Sequence, residues 1–259
     1  IIPPSVAQVE TAIPVFIGYT EFAQEKAPGD LHMVPKRITS VLEYTTLFGQ
    51  GVNEAGISVT VTNGVAVASI SDPSVHNVYY SIQAFYANGG GPCYIVSVGG
   101  LGGGINLAEI QAGLTEVQNV DEITLIVFPE ARSLVNEAAR ITAIEEDPNI
   151  ADPGTTLAAY SDYGTLYNDA LAQCELLKDR FVVMDALLDL EGLDIFKCST
   201  AFRGGGVGIN NLKYGAAYGP FMETVFDYQY VEADVSVLID GAAAVNMDTI
   251  NPNEVDNAP

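Results

Sequence analysis

The sequence has no tryptophan, only two histidines and only three cysteines among its 259 residues. Basic residues are also scarce, since ten Lys and Arg stand against 33 Asp and Glu and the formal net charge is −23. No Lys or Arg occurs between Ile38 and Ala131, and none follows Lys213. Nucleic acids and anionic membranes attract proteins through clustered positive charge, so neither is expected as a partner. The acidity favours solubility and mutual repulsion of monomers.

The three cysteines lack the spacing of a metal site, and their odd number argues against a disulfide framework. We expect Cys93, Cys174 and Cys198 to be reduced thiols, with Cys93 and Cys174 buried, in a protein that folds in a reducing compartment. No apolar run reaches the roughly 20 residues of a membrane-spanning helix. Membrane insertion is therefore not expected.

Motifs of catalysis and cofactor binding are missing as well. The glycine-rich residues 99–104 (GGLGGG) fit neither the P-loop nor the dinucleotide-binding pattern, and residues 204–208 do not fit the dinucleotide pattern either. There is no nucleophile elbow, no His-Glu-x-x-His and no Cys-x-x-Cys. The sequence therefore predicts no catalytic, cofactor-binding or metal-binding residues, and no enzyme.

A few polar residues leave an alternative open. Asp185 ends a predicted strand and could form a polar site with Arg132, although strand-end aspartates are just as often caps. His76 is expected in the first turn of a helix, His32 in a loop, and the acidic pair at residues 145–146 on the solvated surface. Thirteen tyrosines could suggest a carbohydrate-binding face, but most lie on apolar helix stripes and are expected in the core.

The clearest structural pattern runs over residues 75–98. Apolar residues recur at three- and four-residue spacing up to residue 86, which predicts a helix with one apolar face. The glycines and proline at residues 88–92 end this helix, and the run CYIVSV predicts a buried strand. Helices also precede the predicted strands at residues 123–128 and 181–184. Three such units predict right-handed crossovers and a largely parallel sheet.

Other elements complete this pattern. Residues 13–19 (IPVFIGY) predict a buried strand, and Ser40 with Glu43 predicts a capping box that opens a short helix. Residues 57–70 predict a β-hairpin, because two alternating arms flank Asn-Gly, the pair best suited to a type I′ turn. Residues 203–208 are predicted as a loop. The fold class is thus α/β, with a largely parallel or mixed sheet flanked by helices and an added β-hairpin.

The domain organisation predicted from these elements is simple. One α/β domain extends over residues 13–250, with the hairpin inserted near residues 57–70. A strand is predicted within residues 211–218. Residues 1–12 form the remnant of an N-terminal arm, and residues 251–259 form a frayed C-terminal end.

Six separated stretches resemble, in the same order, those of the sheath proteins of contractile phage tails and related contractile injection systems. They are IPVFIGYT (residues 13–20), RITSVLEYTTLFG (37–49), the helix–NGGG–strand segment (79–98), VDEITLIVFP (120–129), CELLKDRFVVMD (174–185) and NNLKYGAAYGP (210–220). Together they are far more specific than any one of them. On this resemblance the chain is expected to be a core fragment of a sheath protein, without the family's N-terminal arm and C-terminal domain.

The resemblance implies a structural role. Sheath proteins of this family polymerise around an inner tube and contract from a metastable state, which drives the tube into a target cell without nucleotide hydrolysis by the sheath. The implied partners are neighbouring sheath subunits, the inner tube protein, and baseplate and terminator components, assembled in the cytoplasm without a cofactor. The alternative is an α/β ligand-binding or enzyme domain that uses the strand ends near Gly99, Asp185 and Arg203.

Overall fold

The computed structural model describes residues 12–146, 158–188 and 194–250. Its contacts divide the chain into two compact units, Ile1–Gln50 with His76–Thr224 and Gly51–Val75 with Val225–Pro259. The predicted N-terminal arm, apart from its last residue, and the predicted C-terminal end lie outside the described residues. Both units contain a sheet, and helices flank that of the larger one, so the predicted α/β class is confirmed.

The larger unit is built on a six-stranded mixed sheet with the order β2-β5-β1-β6-β7-β8. Its strands are β1 (Pro14–Thr20), β2 (Lys36–Ile38), β5 (Cys93–Gly100), β6 (Leu125–Val127), β7 (Phe181–Asp185) and β8 (Gly215–Tyr218). Only the pairing of β2 with β5 is antiparallel, and the other four pairings are parallel. The parallel part has the topology that the helix-then-strand order predicts.

Helices cover both faces of this sheet, and the described residues contain six of them. They are α1 (Val41–Phe48), α2 (Val78–Ala87), α3 (Leu107–Glu116), α4 (Glu137–Glu146), α5 (Ser161–Leu177) and α6 (Ile195–Ala201). The central strand β1 is buried along its whole length. Its Val15 and Ile17 contribute to the core beneath α3 and α5, whereas Phe16 contributes to the core beneath α1 and α2. This alternation follows from the period of two in a strand.

Aromatic packing fills much of these cores. Six of the thirteen tyrosines are buried, namely Tyr19, Tyr44, Tyr79, Tyr160, Tyr163 and Tyr167. Tyr163 and Tyr167 lie one turn apart on α5 with ring centroids separated by 4.7 Å, and the ring of Phe128 packs edge-on against Tyr167. For these positions, the prediction that helical tyrosines belong to the core is confirmed.

The start of α1 differs in one detail from the predicted capping box. Ser40 Oγ accepts the N–H of Glu43 at 3.1 Å, as predicted. The Glu43 carboxylate, however, accepts the N–H and the hydroxyl of Thr39, at 2.8 and 3.0 Å, and not the N–H of Ser40. The carboxylate thus holds both donors of the residue before the N-cap.

The second unit contains the predicted hairpin. Strands β3 (Ile57–Thr62) and β4 (Val65–Ile70) are antiparallel, and both turn residues, Asn63 and Gly64, have the positive φ that a type I′ turn requires. Strand β9 (Ser236–Ile239) pairs in parallel with β3, and β10 (Val245–Asn246) pairs with β9. The hairpin is thus part of a four-stranded sheet with the order β10-β9-β3-β4.

Two further predictions in the last third of the larger unit need correction. The predicted loop at residues 203–208 is largely a π-helical turn, Phe202–Val207, which continues α6. The strand predicted within residues 211–218 begins only at Gly215, because Leu212–Tyr214 forms a 3-10 turn. The glycines of the π-helical turn explain the first difference. A side chain at Gly164 of α5 would collide with the Gly206 carbonyl, so backbone packs directly on backbone here.

Candidate functional site

The first place to look for a site is the carboxyl edge of the parallel strands, where open α/β sheets bind their ligands. Strands β1, β5 and β6 are neighbours and end at this edge. Polar residues follow or end each of them, and Thr20 Oγ1 of β1 lies 2.6 Å from Ser97 Oγ of β5. The edge therefore carries the kind of residues from which a site could be built.

Glu130 is the central residue of this edge. It follows β6 directly after Phe128 and Pro129, and its side chain is fully buried. One carboxylate oxygen accepts the N–H of Tyr19 at 3.0 Å, and the other accepts the N–H of Asn77 at 3.2 Å. Asn77 is the N-cap residue of α2, and Glu130 satisfies the main-chain N–H of this residue, as the N3 carboxylate does in a capping box. Burial raises the pKa of Glu130.

His76 packs against this carboxylate. The sequence predicted it in the first turn of a helix, but it lies two residues before α2 and is only 5% exposed. Its Nε2 lies 2.9 Å from the carbonyl oxygen of Gly103, and its Nδ1 lies 3.8 Å from Glu130 Oε1. The imidazole also packs against the ring of Tyr19, with centroids 5.4 Å apart. The interaction with the Glu130 carboxylate raises the pKa of His76.

Tyr19 joins the cluster to α3. Its hydroxyl donates to Glu109 Oε2 at 2.5 Å and accepts the N–H of Asn106 at 2.9 Å. Asn106 in turn caps α3, since its side chain accepts the N–H of Ala108 at 2.9 Å. Burial is the main reason why the pKa of Tyr19 rises to about 12. The phenol therefore stays protonated at neutral pH and acts as a fixed hydrogen-bond donor.

The resulting arrangement fills the carboxyl edge with side chains of the protein itself. Each oxygen of the Glu130 carboxylate accepts a main-chain N–H, and the Tyr19 hydroxyl is engaged on both sides. The glycine-rich residues 99–104 take part, because the Gly103 carbonyl is bound by His76 and a Cβ at Gly99 would lie 2.7 Å from the Tyr19 ring. Chemically, this arrangement holds a strand end, a loop and two helices together.

The other polar residues singled out in the sequence lie elsewhere. Asp185 ends β7, and its main-chain carbonyl accepts the Tyr163 hydroxyl at 2.5 Å. The Arg132 guanidinium lies 3.4 Å from Glu137 and stacks 5.0 Å above the Phe221 ring.

The remaining two predictions concern loop and surface positions. His32 is exposed, as predicted for a loop residue, and forms an isolated backbone bridge with Ser97 of β5. Glu145 lies on α4 and is exposed, in agreement with its predicted place on the solvated surface.

Sequence reasoning missed the buried residues Tyr19 and Glu130 of this cluster, and the exposed Glu109 at its rim. The sequence did indicate the position of the two buried residues. Tyr19 ends one predicted buried strand, and Glu130 follows shortly after the end of another. Nothing in the local pattern distinguishes a buried glutamate from an exposed one, and glutamates are rarely fully buried unless paired. The burial of Glu130 depends on donors that are 53 and 111 residues away in sequence.

Metal centres and reactive thiols are two further kinds of site that the side chains could form. Within the described ranges, no group of three or more His, Cys, Asp and Glu side chains is arranged to hold a metal ion. All three cysteines are buried and none is in a disulfide bond. Burial raises the pKa of Cys93 to about 11 and that of Cys174 to about 12, so neither is a thiolate nucleophile at neutral pH. Across the described part of the chain, no helix is long and apolar enough to cross a membrane.

A second candidate is a cavity of about 480 Å³ between the π-helical turn and β8. Its lining is mainly apolar and includes Met184, Phe202, Val207 and Leu212. Polar atoms come from Thr200 of α6 and from the exposed Arg203. This is the region of Arg203 that the sequence suggested as an alternative ligand site.

The chain matches no family model and no curated protein. The inference of function therefore depends on the residues of this chain and on what they build.

Proposed function

We propose that this chain is a structural subunit of a contractile sheath, which polymerises around an inner tube and contracts to drive that tube into a target cell. The main support is the correspondence between the six sheath-like stretches and the six strands of the larger sheet. Each stretch contains all or part of one strand, in the order β1, β2, β5, β6, β7 and β8. Stretches that lie far apart in sequence, such as those ending at residue 20 and beginning at residue 174, thus build one sheet, as the shared core of a fold would.

The closed carboxyl edge of the sheet also supports a structural role. A ligand-binding or catalytic α/β domain needs unfilled space at these strand ends. In this protein the side chains of Glu130, His76 and Tyr19 lie at these strand ends and bond to main-chain groups of Tyr19, Gly103 and Asn106. A subunit that transmits mechanical work benefits from such cross-linking, because the strands and helices then move as one body.

The partners that follow from the proposal are neighbouring copies of the sheath subunit, the inner tube protein, and baseplate and terminator components. Assembly would take place in the cytoplasm, and the product would be a phage tail or a tail-like particle. The net charge of −23 fits such a role only if specific contacts overcome repulsion between like subunits.

The alternative is an α/β ligand-binding or enzyme domain. The cavity next to Arg203 is the observation in its favour, because it combines apolar walls beside β7 and β8 with a cationic side chain. No residue of that lining forms a pattern typical of a nucleophile with its base. We therefore rank the alternative second.

The proposal can be tested with antibodies raised against this chain. Immunogold electron microscopy of lysates from the source cells should label tubular particles along the length of their outer layer. Labelling confined to particle ends, or restricted to material without tubes, would rule out a sheath. A thermal-shift screen with nucleotides, sugar phosphates and divalent metals tests the alternative. A specific ligand would raise the unfolding temperature, because it stabilises the folded state by mass action.

A further inference from the structure

The region around the edge strand β8 exposes an unusual number of large apolar side chains. Strand β8 is the last strand of the sheet and pairs with β7 on one side only, within the described residues. The exposed large apolar residues of α6, of β8 and of the segments that flank β8 are Ile195, Phe196, Ile209, Leu212, Tyr218, Phe221 and Met222. Soluble proteins rarely leave so many large apolar side chains of one region in water unless a partner covers them.

The cavity opens within this region. Leu212 is both exposed and part of the cavity lining, and so is Ile209. Phe196 precedes the lining residue Thr200 by four positions on α6, so both lie on the same face of that helix. We use the name β8 surface for the cavity together with these exposed apolar residues, which belong to the elements that line the cavity or to the segments next to them in sequence.

Within the described part of the chain, two charged side chains near the β8 surface have no ion-pair partner. Arg203 lines the cavity, is exposed, and forms no ion pair with any described residue. Glu223, next to Met222, is also exposed and has no ion pair in the described part of the chain. In a protein with ten basic and 33 acidic residues, a cation that borders an apolar cavity without a carboxylate is unusual. It would attract an acidic segment.

We propose that the β8 surface is a self-association site at which Met222 of a second copy enters the cavity and Glu223 of that copy pairs with Arg203. Met222 is 86% exposed in its own chain, although it is long and apolar. Methionine is flexible and adapts to irregular apolar spaces, and a carboxylate beside it matches the cation at the cavity. The same chain thus supplies both halves of the contact.

The positions of the two halves favour a two-fold symmetric pair. Gly215 and Ala217 of β8 line the cavity, and Met222 follows the end of β8 by four residues. The cavity and Met222 both lie next to the edge strand β8. Two copies related by a two-fold axis can therefore each place Met222 in the cavity of the other. The area is small for a permanent interface, and both copies are strongly acidic, so the pair should be weak and concentration-dependent. This inference is independent of the sheath proposal.

Sedimentation velocity over about a hundredfold range of concentration tests the proposal, because mass action makes a weak dimer grow with concentration. Met222→Ala and Arg203→Glu should each raise the dissociation constant about tenfold or more, as expected for an anchor and its charged neighbour. Arg203→Glu combined with Glu223→Arg should restore association. Leu42→Ala, at a position 76% exposed on α1, and Lys26→Glu, at an exposed loop position, are the matched controls and should leave association unchanged.

Three results would overturn the proposal. These are a wild-type chain that stays monomeric throughout, a dimer that is insensitive to Met222→Ala and Arg203→Glu, and a double charge reversal that fails to restore binding. Thermal unfolding of each variant shows whether the substitution has destabilised the fold. Substitutions at exposed positions rarely do so. Saturable binding of a short fatty acid to a monomeric wild-type chain would identify the cavity as a ligand site and would equally refute self-association.

Discussion

Glu130 occupies the space that a side chain at Gly18 would need. A Cβ at position 18 would collide with the Glu130 carboxylate and would lie 2.5 Å from Cγ2 of Val78. The absence of a side chain at this point of β1 lets the carboxylate reach the N–H of Tyr19 at 3.0 Å. One glycine thus allows a buried carboxylate to connect β1, the end of β6 and the start of α2.

Replacement of Gly18 should therefore weaken the whole carboxyl edge. We expect Gly18→Ala to reduce the free energy of unfolding by about 2 kcal/mol or more, because the methyl group displaces a buried carboxylate from its donors. Urea denaturation measures this loss. The control is Gly91→Ala, since a Cβ at Gly91 meets no atom within 4 Å. Equal stability of the two variants would show that the carboxylate has room to move.

The pH dependence of stability should report on His76. The Glu130 carboxylate raises the pKa of His76 above its unfolded value of about 6.5, so the folded state binds this proton more tightly. The resulting stabilisation is fully present below about pH 6.5 and is lost as the pH rises through the higher folded-state pKa. The raised pKa of Glu130 acts in the same direction. The other ionisable groups of the cluster are Tyr19 on β1 and Glu109 on α3, and Tyr19 remains neutral here.

Chemical denaturation at a series of pH values tests this relationship. From about pH 6.5 to about pH 8, the wild-type protein should lose stability relative to the His76→Gln variant. His32→Gln is the control, because the His32 side chain is exposed. The prediction fails if wild type and His76→Gln have the same slope against pH.

The elements that the sequence predicted well are those with a strong local signal. Strand β1 follows from an uninterrupted apolar run, α2 from its apolar spacing, and the β3–β4 hairpin from its Asn-Gly turn. Each pattern lies within about ten residues and needs no distant contact. Of these elements, β1 and the start of α2 contribute the N–H groups of Tyr19 and Asn77 to the edge on which the buried cluster stands.

The elements that escaped prediction depend on distant parts of the chain. Strand β9 has only four residues and is stabilised by pairing with β3, more than 170 positions earlier. The π-helical turn at Phe202–Val207 depends on Gly164 of α5, which lets the two backbones approach. Burial of Glu130 depends on N–H groups from two other elements. No local periodicity carries that information.

The three cysteines should behave as inert buried thiols. Cys93, Cys174 and Cys198 are all buried, and the raised pKa values of Cys93 and Cys174 keep their thiols protonated at neutral pH. A thiol reagent should therefore find three groups in protein denatured without reductant, and should react slowly with the native protein at a rate limited by local opening. A count of one thiol in the denatured protein would mean an intramolecular disulfide bond and would contradict the structure.

The turn between α2 and β5 should need two of its glycines for different reasons. Gly89 has φ +83° and open space around its Cα, so its requirement is conformational. Gly90 is not in the left-handed region, but a Cβ there would lie 2.6 Å from the ring and from the carbonyl oxygen of Phe85. That carbonyl accepts the Gly90 N–H at 2.9 Å, and the Phe85 ring packs edge-on against Phe16 in the core. The requirement at Gly90 is therefore steric.

Substitution by valine and by asparagine separates these two causes. Gly89→Val should cost about 1 kcal/mol or more, and Gly89→Asn should cost less, because asparagine tolerates the left-handed conformation. At Gly90 both substitutions should cost more than the corresponding changes at Gly89, and asparagine should give no relief since the obstacle is the Phe85 backbone and ring. Gly91→Val, with nothing within 4 Å of its Cβ, is the control. Urea denaturation of the five variants measures these differences. If asparagine is less destabilising than valine at position 90 as well as at position 89, the requirement for glycine in the whole turn is conformational and does not come from collision with Phe85.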